Sequence, residues 1–169
     1  MLLRLAARDL AFVVGFVALW WLTAGLSSGD GVRSDFFGFV AGIALGACAV
    51  VLHEWGHLLG ALASRSVVRF AESLRSFFVF SFDSRLNSRR QFLSMSFGGL
   101  IATAAAVWLF YSFLPDEQLA SRVARGVALF LAFLGVFIEV PLVFWALLRS
   151  DLPPVETFES HREAQKPAA

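Results

Sequence analysis

Apolar residues fall into four long blocks, over residues 10–26, 36–63, 92–114 and 123–148, separated by short charged stretches. Each block reaches the ~17–25 residues that a helix needs to cross a bilayer core ~30 Å thick. Irregular backbone facing lipid would leave its amides unbonded, so all four blocks are predicted to be helices. Polar positions inside them are few. The second block holds His53, Glu54 and His57 between Asp35 and Arg65, and Glu139 is the sole charge between Arg125 and Arg149.

The stretch 66–91 is too polar to span. Its short β-branched or aromatic runs, Val67–Phe70 and Phe77–Phe82, suit either a β-hairpin or an amphipathic segment laying its Phe residues among the headgroups. Beyond Ser150 the chain turns polar after Pro153-Pro154, which predicts a disordered tail carrying a solvated His161. The expected fold is an all-α polytopic membrane protein of four transmembrane helices. It forms one membrane domain over 1–149, with a polar cytoplasmic tail at 150–169.

Composition agrees with the blocks. Hydrophobic residues make up 58% of the 169 and charged ones only 16%, where a soluble domain carries about a quarter. The net charge of +1 excludes nucleic acid as an expected partner. The single cysteine, Cys48, precludes an intrachain disulfide; five positions before His53, it is expected in the core rather than on a metal. Arginine placement sets direction. Arg4 and Arg8 precede the first block, six arginines from Arg65 to Arg90 fill the second loop, and Arg149 follows the last block. Arg122 and Arg125 in the third loop are balanced by Asp116 and Glu117. By the positive-inside rule both termini and the Arg-rich loop are cytoplasmic, in the cell inner membrane. The first block could be read as a signal peptide. Its length and the interfacial look of Trp20-Trp21 predict an uncleaved helix.

His53-Glu54-Trp55-Gly56-His57 carries the chemistry. The H-E-x-x-H spacing puts two imidazoles one helical turn apart on one face, half of a tetrahedral zinc site, with a carboxylate beside them to take a proton from an attacking water. Ionisable groups are costly in hydrocarbon and are seldom there without a task. Depth adds a third candidate. His57 and His53 lie eight and twelve residues before Arg65, roughly 12–18 Å from that boundary. Glu139, ten residues before Arg149, lies roughly 15 Å in.

Gly98 and Gly99 on the third helix fall at a similar depth, where backbone could approach the metal or a substrate strand. Gly38, Gly42, Gly46, Ala49, His53, His57 and Gly60 form a stripe that lets a neighbouring helix pack closely. Pro141 frees a backbone carbonyl and can kink the fourth helix. The plainer alternative is that the histidines only hydrogen-bond between helices, with Glu54 and Glu139 as neutral partners.

These residues resemble the site-2 protease family of intramembrane metallopeptidases (peptidase family M50). The likeness covers H-E-W-G-H in a membrane helix followed by Leu58-Leu59-Gly60-Ala61, then a strand-forming segment, then Ser96-Phe97-Gly98-Gly99-Leu100. It implies a zinc endopeptidase core that cuts transmembrane segments of other proteins. His53, His57 and Glu139 would bind the metal and Glu54 would be the catalytic base. The pattern departs from the family at one point. Members usually supply the third ligand from a Leu-Asp-Gly motif on the fourth helix; matching Pro141 to that pattern puts the Asp position near Ala146, which cannot bind metal. The chain is expected to be a divergent, minimal core that either uses Glu139 or has lost activity. A non-proteolytic pseudoprotease or scaffold of the same fold is the alternative, and a metal or proton carrier a third reading.

Overall fold

A computed structural model describes residues 1–26 and 32–155. Of the predicted tail 150–169, the residues from 156 on, with His161, lie outside the described residues, as does most of the first loop. The start of that tail is not disordered, since Leu152 and Val155 pack on the apolar core and Pro153 is buried. The elements in chain order are α1 (Leu2–Leu26), α2 (Val32–Ala63), β1 (Val68–Phe70), β2 (Phe80–Phe82), α3 (Arg89–Phe113) and α4 (Leu119–Leu134). α4 runs directly into a π-helical turn, Gly135–Glu139, and then α5 (Val140–Leu148). Three stretches are long and apolar enough to cross a membrane: Arg33–Ala63, Arg89–Phe113 and Leu119–Leu148. That is the mark of a membrane protein.

Local sequence explains the ends. Asp35 sits in the first turn of α2, where a negative charge suits the helix dipole. α2 stops in a Schellman motif: Ser66 N–H donates to Ala61 O at 2.8 Å and Arg65 N–H to Leu62 O at 3.0 Å. Arg65 takes the left-handed position, with φ 57°, which costs a side chain about 1–2 kcal/mol that glycine would not lose. α3 opens with a capping box between Ser88 and Gln91. Asn87, buried just before it, accepts from Val67 N–H and donates to Val67 O and Asp83 O, so the strands are tied to the start of α3.

The polar stretch does form a hairpin-like pair. β1 and β2 are antiparallel, with Val68 opposite Phe82 and Phe70 opposite Phe80. Phe80 and Phe82 turn inward, Phe82 edge-on to Phe92 at 6.1 Å, while Phe77 and Phe78 stay exposed.

Two apolar clusters organise the bundle. One gathers Leu5, Leu58, Phe80, Phe92 and Ala146 at the hairpin end. The other packs Leu45, Ala49, Ala106, Phe110 and Ala124 between α2, α3 and α4, and also holds Cys48, buried as expected. The small-residue stripe of α2 serves two neighbours in turn. A Cβ at Gly42 or Gly46 would run into Ala120, Val123 or Val127 of α4, and one at Gly56 or Gly60 into α3.

Trp20 is half-buried, its indole N–H donating to Ser121 Oγ on α4 at 3.4 Å, while Trp21 is well exposed. A further sequence expectation is corrected. Arg125 is not at the margin of the last helix. α4 begins four residues earlier than position 123, at Leu119, so Arg125 lies inside it and is buried. Its guanidinium donates to Phe110 O at 3.1 Å, to Leu114 O and to Asp116, closing the exposed carbonyls at the end of α3.

Candidate metal centre

His53 and His57 leave α2 in the gap between the two apolar clusters, and Glu139 closes on them from the π-helical turn. His53 Nε2 lies 3.0 Å from His57 Nε2 and 3.1 Å from Glu139 Oε1, and His57 Nε2 lies 3.6 Å from Glu139 Oε2. Ligand atoms bonded to one tetrahedral ion at ~2.0–2.1 Å stand about 3.3 Å apart. The three separations bracket that spacing.

The other face of each ring sets its tautomer. His57 Nδ1 is 3.0 Å from Met95 O, and His53 Nδ1 is 3.3 Å from Gly99 O and 2.8 Å from Thr103 Oγ1. A carbonyl only accepts, so both Nδ1 atoms carry hydrogen and both neutral rings turn bare Nε2 lone pairs inward. Two lone pairs and a carboxylate then face one another with no donor among them. Glu139 Oε2 is buried without a hydrogen-bond partner among the described residues. A shared proton would relieve one pair of these acceptors; a divalent cation satisfies all three and leaves a fourth position open. His53, His57 and Glu139 thus form a group that could hold a metal ion.

α3 supplies the fit around the rings. A Cβ at Gly99 would overlap the His57 imidazole, and one at Gly98 would strike the α2 backbone at Gly56. Both glycines are therefore close-approach positions, but the close approach is to α2 and its histidine. The π turn supplies the third group. Val140 N–H bonds back to Gly135 O, and Pro141, the second residue of α5, has no N–H to continue an α-helical ladder. Such one-turn π segments often mark functional positions. Ala146, the position matched above to the Asp of the resemblance, is fully buried in the hairpin-end cluster.

Glu54, between the histidines in sequence, lines a separate cavity of about 510 Å³ between α1, α2 and the loop 74–79. Arg8 and Asp9 stand in its wall. Arg8 donates to Asp9 at 2.7 Å and to the carbonyls of Leu74 and Ser76, while Asp9 accepts from the Trp55 indole at 2.8 Å. The motif tryptophan is thereby tied to α1 through a buried carboxylate. Sequence reading missed both Asp9 and Thr103. The signal for Thr103 was present: a lone hydroxyl one turn beyond Gly99 in an apolar run.

In comparisons with known proteins, no family model, no curated protein and no solved structure matches this chain. The chemistry of the centre therefore stands on its own geometry of two oriented imidazoles and one carboxylate, with Glu54 in a separate cavity that also carries Asp9, Arg8 and Arg75.

Proposed function

We propose that the chain is an intramembrane zinc metalloprotease, similar to the site-2 protease family, that hydrolyses peptide bonds within transmembrane segments of other membrane proteins. In this reading α1 also crosses the bilayer, giving four spans with both termini cytoplasmic. The observation that carries it is the convergence of His53, His57 and Glu139 at ligand spacing, beside a Glu at the H-E-x-x-H position. Zinc, when bound there, would supply Lewis-acid polarisation of a peptide carbonyl and of an attacking water.

The chain's own residues do the rest. Glu54 accepts a proton as water adds its hydroxyl to the carbonyl carbon, then delivers that proton to the leaving amine as the C–N bond breaks. The cavity beside Glu54 gives a locally unwound segment somewhere to lie, and its walls include Phe12, Val50, Val51 and Phe77. Unwinding must come first, because the carbonyls of an intact helix are already bonded.

Ala146 favours the second reading, a pseudoprotease or scaffold, since the position aligned with the family's third ligand is packing material. Cleavage of a reporter transmembrane helix by wild type and Glu54→Gln, with zinc content measured on both, separates the two. The protease reading expects cutting by wild type alone with equal zinc in both proteins. Cutting by neither supports the scaffold, and undiminished cutting by Glu54→Gln removes this carboxylate from the chemistry.

A further inference from the structure

A second cavity, of about 530 Å³, opens where α2 ends and α3 begins, lined by Ser64, Arg65, Ser88, Arg90, Gln91 and Ser94. Most of its polar groups are already committed. Gln91 Nε2 donates to Arg65 O, Ser94 Oγ to Gly60 O, and Ser88 Oγ is paired with the Gln91 side chain. These bonds fix the wall. What remains are the guanidinium groups of Arg65 and Arg90, which have no hydrogen-bond or ion-pair partner among the described residues, and the lining contains no carboxylate. Two guanidinium groups on one polar wall offer the kind of donor forks that phosphate oxygens accept.

The position selects the source of that phosphate. Arg65 and Arg90 flank the ends of two stretches apolar enough to cross a membrane, at the level where headgroups lie. Leu59 and Leu62, on the last turns of α2 leading up to the cavity, are exposed and can meet acyl chains. Arg65 is also the only non-glycine residue with positive φ among the described residues, so the backbone holds a conformation that favours glycine while presenting a guanidinium. We propose that this cavity binds the phosphate of an anionic phospholipid, which thereby braces the α2–α3 junction. The inference does not depend on the metal reading.

The test is native mass spectrometry of the full chain in zwitterionic detergent, titrated with short-chain phosphatidylglycerol, phosphatidylcholine or inorganic phosphate. Wild type is expected to retain phosphatidylglycerol in preference to the other two, roughly fivefold more weakly for each arginine removed in Arg65→Gly and Arg90→Gln. Arg65→Gly suits the left-handed backbone, so its melting temperature should hold or rise while lipid retention falls, which separates loss of binding from loss of fold. Arg75→Gln, away from the cavity, should retain lipid as wild type does. Equal retention of phosphatidylcholine, unchanged retention by the double variant, or inorganic phosphate bound as tightly as the lipid would each overturn the proposal.

Discussion

Glu139 Oε1 rests 3.1 Å from His53 Nε2, joining the turn before α5 to the middle of α2. A metal held between them crosslinks these two elements in the folded state only, so binding adds stability by mass action. With metal at a hundred times its dissociation constant the gain is about 2.7 kcal/mol. Chelation should therefore lower the melting temperature of wild type by several degrees and leave that of Glu139→Ala unchanged. Differential scanning fluorimetry with and without chelator checks this.

Gly99→Ala should abolish metal binding while sparing the rest of the bundle. The added methyl meets the His57 ring rather than backbone, so the imidazole must turn away from His53. Overpacking of this kind costs about 1–3 kcal/mol. Gly98→Ala instead strikes the α2 backbone and should cost more stability. Metal content and melting temperature measured on both variants separate the two effects.

Thr103→Val keeps the shape of a buried side chain but removes the hydroxyl 2.8 Å from His53 Nδ1. Outer partners that orient a metal-binding imidazole are typically worth 10–100-fold in affinity. A loss of that size in zinc affinity, measured by competition with a chromogenic chelator, is expected with little change in helicity.

Arg125→Leu should destabilise the bundle without touching the metal centre. It strips the guanidinium from Phe110 O, which keeps the Leu114 N–H, and from Leu114 O, which is left short of a donor. An unsatisfied group costs about 1–3 kcal/mol when buried. Thermal unfolding should show the loss, with metal content per folded chain unchanged.

Much of this was legible in the chain because membrane spans obey a length rule and because H-E-x-x-H fixes its own geometry on any helix. Depth along the helices singles out Glu139 as a partner for the histidines, since rise per residue converts sequence position into height. Sequence could not show the π-helical turn that aims Glu139, because a widened turn depends on which backbone bonds Pro141 leaves open and on the packing of α2. Arg125 was misplaced for a related reason. Charge marks a span boundary only when the side chain reaches water, and here it turns inward to cap a neighbouring helix. Asp9 sits beside Arg8 at the edge of the first apolar block, where nothing in the sequence distinguishes it, yet it is buried and bonded to Trp55.

The central claim is that one divalent ion is held by His53, His57 and Glu139, and X-ray absorption at the zinc edge on the purified protein tests it most directly. The account predicts one zinc per chain with nitrogen and oxygen neighbours at ~2.0–2.1 Å, two of them imidazole, and loss of that signal in Glu139→Ala. Metal-free protein from zinc-replete cells, or a zinc environment identical in wild type and Glu139→Ala, would contradict it.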